Sequence, residues 1–311
     1  MIHSITRRII ENIQRVIVGK EQVLKVILAA VYCEGHVLIE DVPGTGKTTL
    51  ARALATTLGC SFRRIQFTPD LLPSDVTGLN WFNQKAQQFE FREGPIFSQI
   101  VLADEINRAT PRTQSALLEA MQERQVTVDG ISRALSRPFM VLATQNPIEL
   151  EGTFPLPEAQ LDRFMLKAVI GYPDQKEENE ILERFHGQDP LKNLLPITSP
   201  GEIQALHEER QNILVENTVR EYVVRLARST RQSSDILLGA SPRATLALYQ
   251  TSQAWAAIQG RNFVIPDDVK FLVPFVLGHR MIVSAQAQLR GRTAAEMIAD
   301  IVGSVPVPVE A

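Results

Sequence analysis

The sequence predicts an α/β fold: a parallel sheet flanked by helices, with two inserted β-hairpins and a helical domain after it. Apolar runs of strand length alternate with helical periodicity up to about residue 171. A glycine-containing loop joins the first apolar run to a stretch of good helix formers. Beyond Gly171-Tyr172-Pro173-Asp174, strand candidates give way to helical patterns.

Apolar residues at Ile5, Ile9, Ile10, Ile13, Val16 and Ile17 recur at helical spacing. Ile17-Val18-Gly19-Lys20 interrupts them, and a second helix is expected from Glu21 to Cys33. Strands are expected at Val37–Ile39, Phe62–Phe67, Ile100–Ala103, Met140–Thr144 and Phe164–Ala168. The middle three carry the long or β-branched apolar residues of buried parallel strands. Leu79–Phe82 and Gln87–Arg92 flank Asn83-Gln84-Lys85-Ala86 as one hairpin. Val126–Val128 and Ile131–Leu135 flank Asp129-Gly130, a two-residue turn signal, as the other. In the second domain Ser199-Pro200-Gly201-Glu202 reads as a capping box with Pro in the first turn. Helices follow over Val219–Ser229, Arg243–Gln259, Asp267–Leu277 and Thr293–Val302, and the tail Val305-Pro306-Val307-Pro308-Val309 is too Pro-rich to continue them. The division is thus an α/β core over 1–171 and a helical domain over 172–311.

Length and composition suit two domains with sizeable cores: 311 residues, 44% of them hydrophobic. A net charge of −3 offers no global basic field for DNA or an acidic membrane. Cys33 and Cys60 sit inside apolar stretches and read as small buried hydrophobes in a reducing compartment. The amino end lacks an apolar core and a cleavage site, and the longest apolar run, Val26 to Cys33, is too short to span a bilayer. A soluble, cytoplasmic protein without membrane insertion is therefore expected. The five histidines show no metal spacing, and no Ser/His/Asp or Cys/His arrangement stands out.

Chemistry concentrates first in Glu40-Asp41-Val42-Pro43-Gly44-Thr45-Gly46-Lys47-Thr48-Thr49. Strand, glycine loop and helix in that order form a phosphate-binding loop. Gly44 and Gly46 let consecutive N–H groups point at one anion, with the positive end of the new helix behind them. Lys47 would reach the terminal phosphates of a nucleoside triphosphate and the Thr48 hydroxyl would ligate Mg²⁺. Pro43, Gly44, Thr45, Gly46 and Thr49 complete the candidate contacts. Asp41 departs from the usual pattern, which begins with Gly.

Ile100-Val101-Leu102-Ala103-Asp104-Glu105 is an apolar strand ending in two carboxylates, at the sheet edge where α/β ligands sit. Asp104 would hold Mg²⁺ and Glu105 would polarise the attacking water. Asn146 closes another apolar strand; it could align that water, or simply initiate a turn before Pro147. Arg163 precedes the strand at Phe164, and Arg243 opens a helix after Ser241-Pro242. Either guanidinium could neutralise γ-phosphate charge, or serve as a surface ion-pair partner. Arg108 and Arg112 are weaker candidates, read as solvated or salt-bridged.

Together these residues resemble an AAA+ ATPase over nearly the whole chain. Walker A spans Asp41–Thr48, Walker B Val101–Glu105, sensor 1 is Asn146, an arginine finger Arg163 and sensor 2 Arg243. Within the superfamily the chain resembles the MoxR branch. The carrying segments are Glu40-Asp41-Val42-Pro43-Gly44, Phe91-Arg92-Glu93-Gly94-Pro95, Asp104-Glu105-Ile106-Asn107-Arg108-Ala109, Ala143-Thr144-Gln145-Asn146-Pro147 and the long Gly152-Thr153-Phe154-Pro155-Leu156-Pro157-Glu158-Ala159-Gln160-Leu161-Asp162-Arg163-Phe164. That branch is similar in lacking the first Walker glycine. The resemblance implies a homo-oligomeric ring, commonly a hexamer, with ATP between subunits. Arg163 would act on the neighbour's nucleotide and Arg243 on its own, with Val18 and Gly19 beside the adenine. The hairpins would match the helix-2 insert and pre-sensor-1 hairpin, which face the ring's axis in this clade. It also implies a remodelling or maturation chaperone, with a separate von Willebrand factor A domain protein and a client protein as partners. A chelatase motor subunit and a nucleic-acid motor are the related alternatives, and a small-molecule P-loop kinase is the distant one. Lys85 and Arg133 are the only cations near the hairpin tips, too few for a salt-dependent DNA contact.

Overall fold

The computed structural model describes residues 1–147, 152–187 and 189–308. Helices α1 (Ile2–Ile13) and α2 (Glu21–Tyr32) precede β1 (Val37–Glu40), and α3 (Lys47–Thr57) leads to β2 (Phe62–Gln66). A short α4 (Pro73–Thr77) opens into the hairpin β3 (Gly78–Asn83) and β4 (Gln88–Glu93) before β5 (Ile100–Asp104). Then come α5 (Pro111–Glu123), the hairpin β6 (Gln125–Val128) and β7 (Ile131–Ala134), β8 (Met140–Gln145), α6 (Glu158–Leu161) and β9 (Leu166–Ala168).

The central sheet has the order β2-β5-β8-β1-β9, every neighbouring pair parallel. Both faces are covered, which explains why its inner strands are apolar at successive positions. In β5, Ile100 and Leu102 join the core under α1–α3, while Val101 and Ala103 join the core with Leu117 and Leu118 of α5. The expected strand at Phe62–Phe67 is an edge strand rather than a buried one: Arg63 and Arg64 of β2 are exposed. Charge at an edge blocks pairing with another chain. Both hairpins form outside the sheet, with Asn80 Nδ2 of the first donating to Asp129 Oδ2 of the second at 2.6 Å.

The second half comprises α7 (Gln175–Arg184), α8 (Pro200–Gln211), α9 (Asn217–Gln232), β10 (Ile236–Leu238), α10 (Pro242–Ile258), α11 (Pro266–Leu277), β11 (Ile282–Val283), α12 (Ala285–Leu289) and α13 (Ala294–Ser304). The capping box is present: Ser199 N–H donates to Glu202 Oε2 at 2.8 Å, and Glu202 N–H to Ser199 Oγ at 3.3 Å. Among the described residues the domain is helical apart from the short antiparallel pair β10 with β11 and an isolated bridge between Leu214 and Phe263. Strands of two and three residues are too short for an alternation to show in sequence. Pro306 to Pro308 form no helix, and Val309 lies outside the described residues. Apolar on nearly every side, α2 is the shared wall: Tyr32 on it belongs to the same buried cluster as Ala247 and Leu248 of α10. Both thiols are packing groups, burial pushing Cys33 up to about 12 and Cys60 to about 11.

His36, at the amino end of β1, ties three elements together. Its Nδ1 accepts from Val141 N–H at 3.0 Å, so the proton sits on Nε2, which reaches the Met121 carbonyl at 3.0 Å. Burial pushes its pKa down to about 4 from the ordinary 6.5. Between those values the unfolded chain binds a proton that the folded chain refuses, so stability rises with pH across this window. The contribution is complete above 6.5 and is lost as pH falls toward 4, at most roughly 3 kcal/mol. His36→Gln, which keeps one donor and one acceptor, should flatten urea-unfolding stability between pH 4.5 and 7 relative to the wild type. An unchanged slope would assign it to other groups.

Candidate nucleotide site

Three strand ends build the site from below. β1 delivers the loop at residues 41–46, where Gly44 (φ +86°) and Gly46 (φ +81°) occupy left-handed conformations that favour glycine. Gly46 caps α3, so Lys47 is that helix's first residue. Lys47 Nζ donates to the carbonyls of Asp41 (2.8 Å) and Val42 (2.7 Å). Asp41 proves to be structural. Its buried carboxylate accepts from Val42 N–H (2.8 Å), Ile170 N–H (3.0 Å) and Gly171 N–H (2.8 Å). It thus fastens the loop to the chain leaving β9. Asp41→Gly would restore the usual loop sequence but leave the buried Ile170 N–H and the partly buried Gly171 N–H without their acceptor. We expect a loss of about 1–3 kcal/mol in urea unfolding; unchanged stability would show that the clamp is dispensable.

The carboxyl ends of β5 and β8 complete a cleft of about 380 Å³ that Lys47, Thr48, Asp104, Glu105 and Asn146 all line. Asp104 Oδ1 accepts from Thr144 Oγ at 2.6 Å, and Oδ2 from Arg64 Nη2 at 2.6 Å. Glu105 stands at φ +56°, a strained conformation for a residue with a side chain, and its N–H donates to Thr144 Oγ at 2.8 Å. Its carboxylate accepts from Gln66 Nε2 at 2.8 Å and pairs with Arg108 Nε at 3.2 Å. The expectation that Arg108 is salt-bridged holds. Arg64, Gln66 and Thr144 are site residues that sequence reasoning missed. For Thr144 the available signal was a polar residue near the end of an apolar strand; Arg64 and Gln66, on the polar edge strand β2, carried none. A magnesium ion suits this donor set, because Mg²⁺ takes one or two protein oxygens and otherwise uses phosphate and water. Thr48 and the buried Asp104 carboxylate offer those oxygens across one cleft.

An apolar pocket of about 190 Å³ continues from the same loop, lined by Val18, Gly44, Thr45, Thr49, Ile181 and Phe185 among others. Such a wall suits a flat heterocycle rather than a phosphate. Gly19 does not line it. At φ +64°, with a Cβ position 1.9 Å from Glu177 Oε1, it instead allows α7 to approach.

Arg163 and Arg243 stand elsewhere. Both line a cleft of about 500 Å³ with Gly35, His36, Arg137 and Met165. Those neighbours precede β1, β8 and β9, so the cleft lies at the amino edge of the sheet, opposite the phosphate loop. Within this subunit Arg243 lines a different cleft from the phosphate loop. The two arginines are also coupled. Ser241 Oγ donates to Asp162 Oδ2 at 2.9 Å, and the buried Arg280 pairs with Asp162 Oδ1 at 2.9 Å. Burial lowers Arg280 to about 10, Asp162 opposing the shift, so it stays charged at neutral pH. Asp162, next to Arg163, and Ser241, two residues before Arg243, are thereby joined.

Comparison with known proteins agrees with this geometry. Residues 36–166 match the ATPase family associated with various cellular activities (AAA), and residues 228–301 match the AAA lid domain. An uncharacterised protein, YeaC, of Bacillus subtilis is 49% identical, the alignment covering 99% of this chain and 97% of that one. Chaperone MoxR1 of Mycobacterium tuberculosis is 42% identical, with 92% of this chain and 78% of its own covered. A crystal structure of a candidate ATPase from Cytophaga hutchinsonii superposes with a TM-score of 0.93 at 37% identity, covering 99% of this chain and 96% of that one.

Proposed function

This chain belongs to the MoxR-type AAA+ ATPases, and from that premise we propose that it is a Mg²⁺-dependent ATP hydrolase that works as a head-to-tail ring, commonly of six, to remodel or mature other proteins. The carrying observation is that Lys47, Thr48, Asp104, Glu105 and Asn146 meet in one cleft while Arg163 and Arg243 share another at the opposite sheet edge. Lys47 and the loop N–H groups hold the phosphates, the apolar pocket takes the adenine, and Glu105 withdraws a proton from the attacking water. Asn146 orients that water. Bound at Thr48 and Asp104, Mg²⁺ would neutralise phosphate charge. Arg163 and Arg243 of one copy supply the remaining positive charge to the next copy's nucleotide.

The chaperone reading is supported by the first hairpin, where Trp81, Phe82 and Phe89 are 44%, 47% and 73% exposed. An apolar cluster on an excursion from the sheet suits a protein client. Arg133 spends its charge on the Phe91 ring, 3.8 Å from the centroid, which leaves less for nucleic acid. A cytoplasmic setting and a separate von Willebrand factor A domain partner belong to the same proposal. Specific ATPase activity should rise steeply with protein concentration as copies assemble. Turnover independent of concentration across the assembly range would favour a self-sufficient subunit.

A further inference from the structure

A second hollow of about 500 Å³ adjoins the arginine cleft on the lid. It lies between α9 and α10, and Leu246 lines both cavities. Its floor includes Val224 and Leu246, 41% and 54% exposed. Its rim carries Arg220, Arg228 and Arg231, with no acidic residue lining it. Arg228 makes no hydrogen bond or ion pair among the described residues.

The opposite face presents the complement. There Ile181 of α7 and Phe185 just beyond it close the apolar pocket, and α7 turns Leu182 outward, 72% exposed. Glu178 and Glu183 flank Leu182 and are exposed, one helical turn and one residue away. The other two helix glutamates are engaged at home, Glu177 by Lys20 and Glu180 by Arg184. Glu178 and Glu183 have no cation partner among the described residues.

We propose that α7 of one copy docks in the α9–α10 groove of the next, Leu182 against Val224 and Leu246, with Glu178 and Glu183 facing Arg220 and Arg228. This rests on the head-to-tail assembly proposed above and names its second contact. The phosphate cleft and the apolar pocket share Gly44, Gly46 and Thr49, so both belong to one face. The arginine cleft and the groove share Leu246, so both belong to the other. When one copy's arginines meet its neighbour's phosphates, the groove is carried toward the neighbour's α7. Such a contact joins two different patches and can therefore close into a ring.

The test uses the full chain with ATP in sedimentation velocity. Arg228→Glu, Glu183→Arg and Leu182→Asp should each raise the concentration of half-assembly by about tenfold or more, since like charges or a buried charge then meet across the contact. All three positions are exposed, and an unchanged melting curve confirms the fold. Arg228→Glu with Glu183→Arg in one chain should bring assembly back toward the wild-type concentration. Single variants that assemble like wild type, or a double variant no better than the worse single, overturn the docking. Recovery of activity on mixing Lys47→Ala with Arg163→Ala is the control: if it occurs while the charge variants do nothing, only the docking falls. No recovery there removes the head-to-tail assembly itself.

Discussion

Arg163→Ala should bind ATP and assemble, yet hydrolyse about 10³–10⁵-fold more slowly, the cost of losing an arginine that stabilises transferring phosphoryl charge. Lys47→Ala should be inactive for the other reason, having lost the cation that faces the phosphates. Mixed, the two should recover activity, because some interfaces pair an intact Lys47 with a neighbour's intact Arg163. Arg243→Ala extends the test. Arg163 and Arg243 line one cleft at the amino edge of the sheet, so in the proposed assembly both would reach the neighbour's nucleotide from the same copy. A mixture of Arg163→Ala and Arg243→Ala should stay inactive, since every donor copy lacks one of the two. If Arg243 served its own nucleotide, that mixture would regain activity. Activity there refutes action of Arg243 on the neighbour's nucleotide, and silence in the Lys47→Ala mixture, with co-assembly proven, refutes action between copies.

Parts of the site contiguous in the chain were legible in its residues. The phosphate loop follows β1 and opens α3 because glycine and lysine spacing alone encodes that geometry, and Asp104-Glu105 had to end a strand because the preceding residues are apolar. Both hairpins fell where their turns placed them. What could not be read depended on packing between distant segments. Asp41 looked like a defect in a motif, whereas its carboxylate answers N–H groups 129 and 130 residues later. Arg64 and Gln66 sit on an edge strand whose position no local pattern announces, and they meet Asp104 and Glu105 only across the sheet. The cleft that Arg243 lines follows from the lid packing on α2 and from Asp162 being gripped by Ser241 and Arg280, contacts between distant segments that no local pattern carries.

Glu105→Gln should retain ATP affinity while turnover falls by about 10²–10⁴-fold, the range for loss of a general base. The substitution is nearly isosteric, and the features that aim the side chain survive it. Backbone N–H of Glu105 still donates to Thr144 Oγ at 2.8 Å, which holds the left-handed turn at φ +56°. An amide oxygen can still accept from Gln66, which contacts the carboxylate at 2.8 Å. Lys47, Thr48 and Asp104 are untouched, so phosphate and metal binding persist. What disappears is the capacity to take a proton from water. ATP-loaded assemblies should therefore accumulate and hold client protein long enough for capture, whereas Lys47→Ala, which never loads, should capture none. Near-normal hydrolysis by Glu105→Gln would move the base elsewhere, and lost ATP binding would show that the carboxylate orders the cleft rather than the water.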